Sequence, residues 1–367
     1  MSATHNQILQ ETIDAIAPID AEAMKAAEDY QLQLTKPPHS LGELEDLGVR
    51  QCAVTGQCPP PLPEPAFVAV FAGDHGVQAH HVSPWPQAIT YEMGANMAAG
   101  GAAVSVLARH AGADLRIYNV GMLTSLPESS SVVNCPVVLG TADLSQGPAM
   151  LREQAIEAMV IGITAARDAV ASGHRALVPG ELGIANTTPA AALIAAYTGS
   201  TVELVTGRGS GADDEMLARK IDVISRGLEV NHVGQLDALG VLAAVGGAEH
   251  AAMAGFMLAG AAAGVPVVLD GVIAASAALA AVRLCPAARD YLFAGHRGAE
   301  PGCGIALDAL GLRPILQLGL CLGEGSGAVT ALPILVAAAK IMAEMATFDS
   351  AGVGSEHESL EPAGGQH

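Results

Sequence analysis

Short runs of small and β-branched residues alternate with longer helix-forming segments along most of the chain. That alternation limits the possible folds more than any other feature. The run Ala66–Ala72 stops at Gly73-Asp74-His75-Gly76, and Leu115–Gly121, Ala176–Gly180, Val265–Asp270 and Tyr291–Ala294 have the same character. Leu316–Leu320 reads as a last strand or a helix end. Between them, helices are predicted over 93–110, 150–172, 190–198, 214–226, 236–245, 249–263, 274–282 and 330–345. Strands that alternate with helices predict an α/β fold with a doubly wound, mostly parallel sheet. Such sheets place ligands beyond the C-terminal ends of their strands, where several polar segments of this chain fall.

Both chain ends read differently. Residues 1–50 look helical, with Pro37-Pro38 breaking the run. Ser40 is the expected N-cap of a second helix carrying Leu41, Leu44, Leu47 and Val49, with Glu43 three residues on. Pro59–Pro65 is a Pro-rich linker. The tail 354–367, rich in Gly, Ser and Glu, is expected to be disordered.

Composition narrows the function. Half of the 367 residues are hydrophobic but only 3% are aromatic, so the core must be packed closely from small side chains. The net charge of −20 argues against nucleic-acid binding, which depends on neutralising phosphates. Any anionic substrate must be held locally, by backbone amides and a few basic groups. The six cysteines (52, 58, 135, 285, 303 and 321) show no CxxC spacing and read as reduced thiols of a cytoplasmic enzyme, without zinc or disulfides. Met1–Ala17 is polar and slightly acidic, unlike a signal peptide. Ala251–Leu269 runs 19 residues without a charge, but Gly255, Gly260, Gly264 and Pro266 make it a buried helix, turn and strand rather than a membrane span.

Six polar islands could carry chemistry. The most informative is Leu322-Gly323-Glu324-Gly325-Ser326-Gly327-Ala328, one carboxylate embedded in glycine. Glycines there let the backbone approach a ligand and turn N–H groups toward it, while Glu324 can take a proton from it. Gly180-Glu181-Leu182-Gly183-Ile184-Ala185-Asn186-Thr187-Thr188-Pro189 joins a strand to a helix and offers amides, Thr187 and Thr188 at a helix N-terminus, either an anion site or a cap. Gly207–Asp214 precedes a helix bearing Lys220, and Gly295–Gly302 sets His296 and Arg297 in a turn; each is either a ligand contact or a surface loop. Lys36-Pro37-Pro38 either presents Lys36 or breaks a helix. Asp74-His75 at a strand end could serve metal or acid/base chemistry, although His75, His80 and His81 match no standard metal spacing. GxGxxG, GxxxxGK[ST] and GxSxG are all absent, which argues against the common dinucleotide, P-loop and hydrolase sites.

In this order the islands resemble the nicotinate-nucleotide:dimethylbenzimidazole phosphoribosyltransferase family of cobalamin lower-ligand activation. The shared segments are KPP-x-SLG, DHGV, Gln146–Met150, GELGIANTTPAAA, Val268-Leu269-Asp270-Gly271, GHR-x-AEPG, LGEGSGA and Ala346–Val353. The resemblance, from about Asp20 to Val353, implies a Rossmann-like three-layer domain over 66–328. It also implies a small helical domain assembled from 1–58 and 329–353, a homodimer, and no metal or other cofactor. It implies transfer of phosphoribosyl from nicotinate mononucleotide to 5,6-dimethylbenzimidazole, with inversion at C1′ and release of nicotinate. Glu324 would be the general base and Glu181 a supporting carboxylate near the ribose or the base. Gly183, Asn186, Thr187, Lys220, Gly298, Ala299 and Gly323 would hold the nucleotide, and Trp85, Met93 and Leu182 would line the acceptor pocket. Another azole, a purine or a phenol as acceptor, or a non-catalytic nucleotide-binding role, are the alternatives. The chain departs from the family pattern at His39 (usually Gly), His80-His81 (Glu-Gly), Gly298 (Ser), Cys303 (His) and Cys321 (Arg).

Overall fold

An inner strand carries eight consecutive buried residues, Ala66–Gly73, because it is covered on both faces and flanked on both edges. A computed structural model describes residues 2–354; the expected disorder of the tail concerns residues that lie, apart from 354, outside those described. The strands are β1 (Ala66–Gly73), β2 (Asp114–Gly121), β3 (Val132–Asn134), β4 (Ala176–Leu182), β5 (Val267–Leu269), β6 (Leu292–His296) and β7 (Pro314–Leu316). They form one sheet in the order β3-β2-β1-β4-β5-β6-β7, and every pairing is parallel. The strand order reverses between β1 and β4, which is where doubly wound sheets open a crevice.

The helices run α1 (Ser2–Asp14), α2 (Ala21–Gln31), α3 (Glu43–Thr55), α4 (Ile89–Ala98), α5 (Ala103–Ala111), α6 (Arg152–Ala171), α7 (Thr187–Thr198), α8 (Val202–Val205), α9 (Asp214–Val230), α10 (Ala238–Val245), α11 (Ala248–Ala262), α12 (Val272–Leu284), α13 (Pro301–Leu310), α14 (Ser326–Glu344) and α15 (Phe348–Ala351). The chain divides into two compact units. One contains Pro63–Leu332 together with the segment up to Pro18; the other contains Ile19–Leu62 and the chain from Pro333. This corrects the expected boundaries at the N-terminus, since α1 packs on α6 and α11 of the large unit. In the small unit, Ala27, Val49, Cys52 and Met342 form a buried cluster.

Several expected elements shift for identifiable reasons. The helix expected over 93–110 is two, α4 and α5, separated at Gly100, whose φ is +83°. Helix α3 starts at Glu43 rather than after Ser40. Its N-cap is Gly42, and the Glu45 carboxylate receives the Leu41 N–H (3.0 Å). Strand β4 extends two residues further than expected, so Glu181 and Leu182 belong to the sheet. Pro179 is tolerated inside it because of where its missing donor would point. The Leu177 N–H reaches across to Pro266 (3.0 Å), and the pairing with β5 ends at that residue, before Pro179 is reached. The expected final strand 316–320 is β7 ending at Leu316. Gly319, at φ +69°, interrupts the extended run, although Leu316 and Leu320 still accept the N–H groups of Arg297 and Ala299 (both 2.9 Å). Strand β3 and helix α13 carry too weak a pattern to be read from sequence.

The stretch 251–269 is the buried helix α11 followed by β5. Among the described residues, α14 is long and apolar enough to cross a membrane, and 56% of its most apolar window is buried in the protein.

Small residues set how closely the layers pack. A Cβ on Gly162 of α6 would lie 1.9 Å from the Ala252 carbonyl oxygen, and one on Gly255 of α11 would lie 2.0 Å from that of Met159. The two helices therefore meet backbone to backbone. Alanine is the better helix former by about 1 kcal/mol, yet here the steric term dominates. Gly162→Ala and Gly255→Ala are each expected to destabilise by about 1–3 kcal/mol in urea unfolding; a stabilising Ala at either site would contradict this packing.

Candidate active site

A cavity of about 430 Å³ opens at the C-terminal ends of the strands. Its walls come from the segment 82–93 that leads into α4, from the end of β4 and the start of α7, from the turns after β5 and β6, and from the loop 320–324. All twelve residues expected at the site line it: Trp85, Met93, Glu181, Leu182, Gly183, Asn186, Thr187, Lys220, Gly298, Ala299, Gly323 and Glu324.

The loop bearing Glu324 is held against the central sheet by a missing side chain. A Cβ on Gly180 would lie 2.4 Å from the Glu324 carbonyl oxygen, so only glycine at this point of β4 lets the loop descend. Gly323, Glu324 and Gly325 have φ of +91°, +65° and +95°, three left-handed residues in a row. Two are glycine and bear this easily; Glu324 is the one with a side chain, and such strain gathers at functional positions. A Cβ on Gly323 would fall 2.1 Å from Glu181 Oε1.

The two carboxylates have different surroundings. Glu181 Oε1 accepts the Glu324 N–H (3.2 Å), and Oε2 accepts the Asn186 side-chain amide. Burial pushes the Glu181 carboxyl up to about 8; the charge of Asp270 adds to this, while the Glu324 N–H and the Asn186 amide oppose it. Glu324 Oε2 accepts the Val104 N–H (3.4 Å) in the first turn of α5, where the helix dipole favours an anion. Burial also raises Glu324 above the ordinary carboxylate range, the Val104 N–H pulling it back and Asp270 pushing it up.

Also lining the cavity, the buried Lys220 donates to Thr187 Oγ1 (2.9 Å) and the Gly207 carbonyl (3.0 Å). Burial lowers its ammonium to about 8, with the charge of Glu300 resisting. Lys220, Thr187 and the N-terminus of α7 therefore converge. Trp85 lies half exposed on the rim, its indole N–H reaching the Ser210 carbonyl (3.3 Å). Asn186 precedes α7 without a side-chain cap, and its amide N–H donates to Glu181.

Other islands lie elsewhere. Lys36 is buried in an ion pair with Glu45 (2.9 Å) within the small unit, so the Pro-Pro turn does not present it. Asp74 receives the Leu123 N–H (2.8 Å) and the Gln87 amide. His75 faces Glu249 (2.9 Å), which also holds His250 (2.7 Å), while His80 pairs with Asp143 (2.7 Å). His75 and His80 thus go to different carboxylates, and among the described residues no cluster of three or more His, Cys, Asp or Glu could hold a metal ion. The cysteines are all free; Cys321 is exposed on the cavity rim and Cys303 is buried near Gly298.

Sequence reasoning missed two structural partners. Asp270, present only as a motif letter, accepts the N–H groups of Gly325 (3.0 Å), Gly327 (2.7 Å) and Ala328 (3.1 Å). Glu300 accepts the Gly209 N–H (2.9 Å) and so fixes the loop over Lys220. No local spacing signals either contact, since the partners are far apart in the chain. Two departures from the family pattern carry a backbone signature: His39 and His81 have φ of +62° and +53°, the region that favours the usual glycine.

A phosphoribosyltransferase family model matches residues 16–353. The nicotinate-nucleotide–dimethylbenzimidazole phosphoribosyltransferase of Salinispora tropica is 50% identical over 360 residues, covering 94% of this chain and 99% of the relative. The protein of the same name from Chloroflexus aggregans is 48% identical over 352 residues, covering 96% and 99%. A crystal structure of this phosphoribosyltransferase from Thermus thermophilus superposes with a TM-score of 0.88 at 45% identity, covering 92% of this chain and all of that one.

The raised Glu181 carboxyl gives a testable pH dependence. Between its unfolded value near 4.5 and its folded value of about 8, the folded state holds a proton that the unfolded state has lost. Its contribution to stability is therefore present at low pH and falls as pH rises through that window. Glu181→Gln, which stays neutral, should become progressively more stable relative to the parent from pH 5 to pH 8 in thermal melts. A difference independent of pH would refute the assignment.

Proposed function

The chain belongs to the nicotinate-nucleotide–dimethylbenzimidazole phosphoribosyltransferase family, and from that premise we propose how its own residues perform the transfer. Nicotinate mononucleotide carries a pyridinium leaving group on ribose C1′. A benzimidazole ring nitrogen attacks C1′ from the opposite face, the C1′–pyridinium bond breaks with its electron pair going to nicotinate, and the β linkage becomes α. The products are α-ribazole 5′-phosphate and nicotinate. The attacking nitrogen bears no proton, but bonding makes the distal ring N–H acidic, so a base must accept that proton.

Glu324 is that base. The observation that carries the reading is its placement: buried beside the cavity, fixed by a left-handed turn, with a carboxyl raised by burial and by Asp270. A raised carboxylate is a stronger base, and positioned bases contribute roughly 10²–10⁴-fold. Glu181, with its carboxyl at about 8, keeps its proton at neutral pH and so leaves the negative charge to Glu324. Lys220, Thr187 and the α7 N-terminus suit the 5′-phosphate, whose charge would favour the ammonium form of Lys220. Gly183, Asn186, Gly298, Ala299 and Gly323 hold the nucleotide, and holding both reactants in line supplies much of the remaining acceleration. Trp85, Met93 and Leu182 give the flat acceptor an apolar wall. The proposal includes a cytoplasmic homodimer, on the strength of the sequence resemblance.

The test is to mix purified protein with nicotinate mononucleotide and 5,6-dimethylbenzimidazole and seek α-ribazole 5′-phosphate by mass spectrometry. Product should form, and Glu324→Gln should lower kcat roughly 10²–10⁴-fold with KM little changed; no product with any azole, purine or phenol would overturn the reading. Gly298 supplies a second test. A Cβ there meets only ordinary contacts, Cys303 Sγ and His296 among them at 3.6 Å, so Gly298→Ser fits. The added hydroxyl is expected to lower KM for the nucleotide several-fold, since one new hydrogen bond contributes about 1 kcal/mol; an unchanged or higher KM would exclude Gly298 as a nucleotide contact.

A further inference from the structure

Asp270 lies just beyond the end of β5, buried, and touches no part of the cavity directly. Its Oδ1 accepts the N–H groups of Gly327 (2.7 Å) and Ala328 (3.1 Å), and its Oδ2 accepts that of Gly325 (3.0 Å). These donors bracket the start of α14 and immediately follow Glu324. Helix N-termini leave N–H groups without intrahelical partners, and a residue just before the helix normally satisfies them. Here the capping carboxylate comes from another strand, 55 residues earlier in the chain. His296 at the end of β6 faces the same carboxylate, with Nε2 3.1 Å from Asp270 Oδ1, and its ring packs so tightly on Gly327 that a Cβ there would lie 2.0 Å from His296 Cδ2. Three strands are thereby tied to one turn: β4 through Gly180 and Glu181, β5 through Asp270, and β6 through His296.

We propose that Asp270, oriented by His296, is the positioning residue for Glu324: it holds the left-handed turn 323–325 by capping the following helix from a distance. The cap acts beside the Glu181 bond to the Glu324 N–H and the Ser326 hydroxyl bond to the Gly323 carbonyl, and together they offset the strain of a turn in which Glu324 sits at φ +65°. The inference deepens the general-base reading and rests on it for its kinetic consequences, but the clamp itself is independent of the reaction. Asp270 also acts on the base electrically. The titratable groups around Glu324 are Glu181 on β4, Asp270 after β5 and His296 on β6, while Glu249 on α11 acts on Glu181. Of these, the charge of Asp270 is the one that raises Glu324.

Hydrogen exchange on the unliganded protein tests the clamp. In Asp270→Ala, the amides of Gly325, Gly327 and Ala328 should exchange roughly tenfold faster or more, each having lost a hydrogen bond, while those of β1 stay protected. Unchanged exchange at these three amides would overturn the proposal, whatever the activity. Global unfolding would show as loss of protection in β1 too; Asp270→Asn, which keeps one carbonyl acceptor, then serves as the folded comparison. Kinetics separate positioning from a merely structural role. In Asp270→Asn, kcat should fall about a hundredfold, the cost of a misplaced catalytic group, with KM for nicotinate mononucleotide little changed. The acidic limb of the kcat profile should move to lower pH, because a negative charge near the base is gone. An Asp270→Asn enzyme with full kcat and an unmoved limb would exclude the role. Absence of product from the parent enzyme would instead defeat the reaction assignment and leave the exchange result to decide the clamp.

Discussion

The site depends on one close approach, that of the Glu324 loop to the middle of the sheet. At Gly180 the strand has no side chain, and the Glu324 carbonyl occupies that space. The same descent brings the Glu324 N–H to Glu181 and its carboxylate to the first turn of α5. Desolvation of both carboxylates follows from this burial, and so do their raised values. Remove the approach and the pair would be ordinary solvated acids. The chemistry expected of the site is thus a consequence of backbone packing, as it is where α6 and α11 meet through Gly162 and Gly255.

The topology decides where this can happen. The sheet reverses direction between β1 and β4, so the connections on either side diverge and leave a crevice above the C-terminal strand ends. Glu181 ends β4, Asp270 follows β5, His296 ends β6, and the Glu324 loop comes after β7. Residues spread over more than 140 positions of sequence meet because parallel strands all end on the same side. Lys220 is the exception, arriving from α9 to meet Thr187 at the start of α7.

Much of this could be read from the chain. Alternating strands and helices gave the parallel sheet, and the glycine islands gave the cavity walls, because glycine marks places where backbone must come close. What could not be read is the pairing of islands across space. Nothing near Asp270 says that it will cap a helix starting at Ser326, and nothing near Lys36 says that it will be buried against Glu45. The extension of β4 to Glu181 and Leu182 was hidden because Gly180 and the polar run after it read as the start of a loop. The short strand β3 has only three residues, too few for a period. Even so, His39 and His81 show that the sequence can mislead in the other direction: both sit where the backbone favours glycine.

The central claim is that Glu324 accepts the distal N–H proton of the acceptor ring. An acceptor methylated on that nitrogen has no such proton, and its product keeps a positive ring much as nicotinate mononucleotide does before transfer. The decisive measurement is the ratio of kcat/KM between the parent enzyme and Glu324→Gln for 5,6-dimethylbenzimidazole and for its N-methyl derivative. The account predicts a ratio of roughly 10²–10⁴ for the first acceptor and a ratio near one for the second. An equally large loss with both acceptors would contradict it, and would assign Glu324 to binding or to stabilising charge at C1′ instead.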